Sequence, residues 1–169
     1  FNVETCKEVA LSHEDLMALI SFQSDYAEQI STFDPEAICA LEFIKCSRYG
    51  KYYYLPVLFK ARFDPPKRLM ESFIVHLSKL LIAYSIYKRK AIYRMHQLIC
   101  ELYDKLFEVT SKESAEEVIM FLQEKAMERK EDVKKVLEND TIADNPTAKC
   151  LACRLSAFLE EFHDNSKSE

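Results

Sequence analysis

A chain of 169 residues, 49% apolar and 30% charged, suits one globular domain with a sizeable core and excludes a disordered polymer. Its single glycine, Gly50, excludes P-loop and dinucleotide folds, whose backbones approach phosphate at glycines. The net charge of -5 hides a basic centre: Phe43 to Ile99 holds twelve Lys and Arg against Asp64 and Glu71, a balance of +10, between flanks of -8 (residues 1–42) and -7 (residues 100–169).

Ser12-His13-Glu14-Asp15 has the pattern of a capping box, and Leu16, Leu19, Ile20, Ala27 and Ile30 carry a helix to about Ser31. Asp34-Pro35-Glu36 is a second start, an N-cap followed by proline at the first helical position, with a helix to about Ser47 that Gly50 ends. The Tyr52 to Phe63 stretch is β-rich in composition, but Pro56 interrupts it, which predicts a short helix opening near Pro56. Asp64-Pro65-Pro66 starts the next helix, with Leu69, Phe73, Leu77, Leu80, Leu81 and Tyr84 at helical period. Lys88-Arg89-Lys90 is the candidate break before a stripe of Ala91, Met95, Leu98, Ile99, Leu102 and Leu106.

Thr110-Ser111-Lys112-Glu113 supplies a further cap for a helix from Ala115 to about Arg129, with Val118, Ile119, Leu122 and Ala126 inward. A short helix over Glu131 to Leu137 follows. Asn145-Pro146 then opens a last helix to about His163 that puts Leu151, Leu155, Phe158, Leu159 and Phe162 on one face. The expected fold is all-α, a multi-helix bundle of about seven helices with short loops, in a single domain over residues 1–164 with a polar tail at 165–169. A start at Phe1 rather than methionine makes a fragment of a longer protein the expectation.

Uncharged runs such as Leu80 to Tyr87 reach less than half of the ~20 residues a spanning helix requires, so no membrane partner is expected. The six cysteines, at positions 6, 39, 46, 100, 150 and 153, read as reduced, intracellular and buried, which points to the cytoplasm. Cys150-x-x-Cys153 lacks the second Cys or His pair that structural zinc needs. Glu160-x-x-His163 has the spacing of bundle di-iron sites but occurs once, where such sites need it twice. No metal and no cofactor are therefore expected. His76 and His96 have few acids nearby to position them for general-base work, and half-buried structural histidines are the expectation. Catalysis within this chain is not expected.

Lys60, Arg62, Lys67, Arg68, Lys88, Arg89, Lys90 and Arg94 are the candidate contacts for nucleic acid or another partner, because tyrosines lie among them and rings can stack bases while cations meet phosphate. The alternative that stays open is a basic centre answered by the chain's own acidic ends.

From Glu36 to His163 the order of elements resembles the helical middle region of the GmrSD-type, ParB-like nuclease family of bacterial modification-dependent restriction enzymes. Three places carry the resemblance: Tyr53-Tyr54-Leu55-Pro56-Val57-Leu58-Phe59, the basic stretch Tyr84-Ser85-Ile86-Tyr87-Lys88-Arg89-Lys90-Ala91, and Asn145 to Glu161 with Lys149, Leu151, Leu155 and Leu159. The family's Asp-Gly-Gln-Gln-Arg signature and its HNH nuclease motif are both missing here. The resemblance implies a non-catalytic connecting domain that positions the flanking domains of its parent chain and guides DNA along the basic centre. From the residues alone, the competing expectation is a protein-interaction module that docks an acidic partner or self-associates through aromatics such as Tyr52 to Tyr54.

Overall fold

The computed structural model describes residues 13–46, 50–85 and 91–139. Among them the chain is all-α: seven α-helices and one 3-10 helix, with no strand. The Ser12 cap, the break at Lys88–Lys90 and the last helix expected from residue 147 lie outside the described residues.

Helix α1 (His13–Ser31) belongs to a compact unit that ends at Thr32. Its last carbonyls lack intrahelical partners, and side chains supply them. Ser31 Oγ donates to Glu28 O at 2.7 Å and Thr32 Oγ1 to Gln29 O at 2.8 Å. Phe22 and Tyr26, one turn apart, lie parallel with centroids 6.3 Å apart.

The second compact unit begins at Phe33. Helix α2 (Pro35–Cys46) opens at the expected proline and buries Ala37, Ala40, Leu41, Phe43 and Ile44. Gly50 opens a 3-10 helix (Gly50–Tyr53) that folds back against α2. A side chain there has no room, since a Cβ would stand 2.7 Å from the Lys45 carbonyl oxygen. Helix α3 (Tyr54–Phe63) then starts two residues before Pro56. Proline fits in this first turn because its missing N–H is one that would have no helical partner. Asp64 ends α3 in the left-handed region (φ 48°, ψ 61°) and donates its N–H to Lys60 O at 2.7 Å, the position that glycine fills in most chains.

Helix α4 (Lys67–Ser85) is the hub, packed against α2, α3, α5 (Ala91–Glu108) and α6 (Lys112–Met127). Phe73, Leu77, Leu80 and Leu81 are fully buried, and Phe73 stacks on Phe59 of α3 with centroids 4.3 Å apart. Helix α5 contributes Met95, Leu98, Ile99, Leu102 and Leu106, the expected stripe from Met95 onward. Lys67 to Phe107 is therefore two helices that pack on each other, not one rod. Burying a Leu, Phe or Met side chain contributes roughly 1.5–3 kcal/mol, so these shared apolar faces are the principal stabilisation.

Ser111 caps α6, but its reciprocal partner is Ser114 rather than a carboxylate. Ser111 Oγ accepts the Ser114 N–H at 3.3 Å, and Ser114 Oγ accepts the Ser111 N–H at 3.1 Å. Helix α7 (Lys130–Asn139) covers the short helix expected near Glu131 to Leu137.

Two expectations are corrected here. Cys46 and Cys100 are exposed and Cys39 is only partly buried; the other three cysteines lie outside the described residues. His96 is exposed as well. In each case an apolar neighbour in sequence sits about 100° around the helix, so a residue beside the core stripe can still face water.

Candidate interaction surface

Lys60 and Arg62 stand in the last turn of α3, and Lys67 and Arg68 in the first turn of α4, on either side of the Asp64–Pro66 link. Their environments differ. Lys60 is 8% exposed, and its ammonium reaches Asp64 at 2.6 Å. Arg62 donates from Nη2 to the Phe107 carbonyl at 2.8 Å and lays its guanidinium over the Phe107 ring, so it ties α3 to the end of α5. Lys67 lies between Asp34 (3.8 Å) and Glu71 (3.6 Å). Arg68 is exposed and makes no ion pair among the described residues. Lys88, Arg89 and Lys90, and the side chain of Arg94, lie outside the described residues.

The other described cations of the basic centre repeat this pattern. Lys45 donates to Glu42 at 2.7 Å, which raises its pKa, and sits over the Tyr53 ring. Lys51 sits over Tyr52, and Lys79 pairs with Glu36 at 3.8 Å. Six of the seven described cations between Phe43 and Ile99 therefore have an intramolecular partner, Arg68 being the exception. Three of the acids involved, Asp34, Glu36 and Glu42, come from the acidic N-terminal block. Exposed pairs of this kind contribute at most about 1 kcal/mol each, so their effect is to neutralise the centre more than to stabilise the fold.

A cleft of about 250 Å³ opens where α2 starts beside α4, lined by Asp34, Glu36, Glu71, Ser72, His76 and Lys79 among others. Glu71 is 8% exposed and accepts the Asp34 N–H at 2.8 Å, placing a carboxylate at the positive end of α2. His76 is half-buried, as expected, and its Nε2 lies 2.9 Å from Gln123 Nε2 of α6. Burial first, then the Lys79 charge, holds its pKa below the ordinary 6.5, against the opposing pull of Glu36. In the neutral form Nε2 accepts from the Gln123 amide, joining α4 to α6. Among the described residues no group of His, Cys, Asp or Glu is arranged to hold a metal ion. None of the described helices is long and apolar enough to cross a membrane.

The surface holds one feature that charge counting misses. Tyr103 and Phe107 of α5 stand at a spacing of four, in ring contact with each other, and Tyr54 of α3 lies against Tyr103, all exposed. Its signal in the sequence is a second stripe, Cys100, Tyr103 and Phe107, beside the core stripe of α5. No family model, curated protein or solved structure matches this chain.

Proposed function

We propose that this chain is a non-catalytic helical scaffold domain of a bacterial restriction or defence nuclease, holding the flanking domains of its parent in place. The observation that carries the scaffold reading is the engagement of Arg62 by Phe107 and of Lys67 by Asp34, which makes these two cations struts, from α3 to α5 and from α4 to the start of α2, while Lys60 is held by Asp64 at the end of its own helix. The nuclease parentage rests on the resemblance of residues 53–59, 84–91 and 145–161 to the family's helical middle region. Contact with DNA is assigned to Arg68 and the Lys88, Arg89, Lys90 and Arg94 segment, the remaining cations of the basic centre's candidate set.

Fluorescence-anisotropy titration of labelled duplex DNA over a salt series tests the assignment. Replacing Lys88, Arg89, Lys90 and Arg94 by Ala is expected to weaken binding alike for all sequences and to flatten the salt slope by about 0.9 for each phosphate that is no longer neutralised. Replacing Lys67 is expected to leave the slope unchanged. Equal slopes for wild type and the fourfold variant would remove DNA from the proposal.

A further inference from the structure

Tyr54, Tyr103 and Phe107 keep 43%, 40% and 44% of their surface open to water, yet their rings are mutually ordered. Tyr54 meets Tyr103 edge-on with centroids 6.4 Å apart, and Tyr103 meets Phe107 at 4.7 Å. The Arg62 guanidinium lies 5.3 Å over Phe107 and closes the cluster at one end. Exposed Cys100 continues the stripe one turn before Tyr103. Clustered exposed aromatics next to an arginine have the composition of interface hot spots rather than of ordinary solvent-facing surface.

Charge decides what such a face can meet. Its α3 rim is basic, since Arg62 commits one N–H to Phe107 O and retains other donors. Its α5 rim is acidic, for Asp104 and Glu108 are exposed and make no ion pair among the described residues. A polyanion is repelled by the acidic rim, and a wholly acidic or wholly basic protein surface meets like charge on one side. A surface with both rims answers both. We infer that this aromatic face is the contact between two copies of the chain, related by a twofold axis that runs along the stripe. Such an axis makes the patch its own partner: the rings of one copy cover those of the other, and each basic rim lies against an acidic one. This inference does not depend on the nuclease parentage.

Sedimentation velocity over a concentration series is the test, with the whole chain. The wild type is expected to show a monomer–dimer equilibrium, Tyr103→Glu to raise its dissociation constant about tenfold or more, and Asp104→Lys to raise it by a smaller factor. Asp104 is exposed and makes no ion pair among the described residues, so that variant keeps the question answerable should Tyr103→Glu fail to fold. Thiol alkylation read by peptide mass mapping gives a second measurement on the unaltered chain. Cys100 is expected to react more slowly as protein concentration rises, whereas exposed Cys46 on α2 reacts at a constant rate. A monomer up to about 200 μM would overturn the inference. So would a dimer indifferent to both substitutions, or Cys100 protection equal at every concentration, which would mean that the face is covered within one chain.

Discussion

Glu71 is one of two acids in the basic centre, and its removal has a calculable consequence. It is 8% exposed, accepts the backbone N–H of Asp34 at 2.8 Å and stands 3.6 Å from the Lys67 ammonium. A hydrogen bond to a charged acceptor contributes about 1.5–3 kcal/mol net, and the half-exposed Lys67 pair adds at most about 1 kcal/mol. Glu71→Ala is therefore expected to destabilise the chain by about 2–3 kcal/mol. Glu71→Gln keeps an acceptor within reach of the Asp34 N–H and loses only the charge, so its cost is about 1 kcal/mol. In a protein of this length those figures correspond to Tm losses of about 4–12 °C and about 2–4 °C. Urea unfolding followed by far-UV circular dichroism measures both at constant m. The Ala figure is a cost of truncation, which includes an orphaned N–H, and not the net contribution of the buried carboxylate. A loss below about 0.5 kcal/mol for Ala, or equal losses for Ala and Gln, would refute the reasoning that this single acceptor holds the start of α2 against α4.

Two further outcomes follow from the same structure. Gly50→Ala places a Cβ 2.7 Å from a backbone oxygen that no rotamer change can move, and overpacking of that kind costs about 1–3 kcal/mol, more than the roughly 0.4–1 kcal/mol that Ala returns through the unfolded chain. A denaturation midpoint at or above that of the wild type would show that the turn relaxes freely. The folded pKa of His76 lies below its ordinary 6.5, so the unfolded chain takes up this proton at higher pH than the folded one. Its contribution to stability is complete above about pH 6.5 and is lost as the pH falls through the folded value. The stability difference between wild type and His76→Gln is therefore expected to shift against the wild type between about pH 7 and about pH 5, and a constant difference would exclude the burial account.

The helices are legible in the sequence because their signals are local. Asp34-Pro35, Asp64-Pro65-Pro66 and Ser111 act on groups within a turn of themselves, and the stripes on α4 and α5 repeat at 3.6 residues. The departures from expectation are local in origin too. Pro56 has the look of an opening residue, whereas a first turn tolerates proline at the third position. Cys100 and His96 have apolar neighbours along the chain, but their angle around α5 turns them to water.

Charge is the opposite case. The sequence by itself determined that a basic block lies between acidic ones, and that the chain forms helices with apolar faces which must meet. Which cations remain free was decided by tertiary structure. Lys67 and Asp34 are 33 residues apart, Lys79 and Glu36 are 43 apart, and Arg62 reaches the Phe107 carbonyl across 45, pairings that only the packing of α2, α3 and α5 around α4 creates. The aromatic face has the same origin: Tyr54 and Tyr103 become neighbours when α3 crosses α5. Propensity acts within a few residues along one chain direction, whereas neutralisation and exposure depend on what arrives from elsewhere in space, which buried apolar area selects.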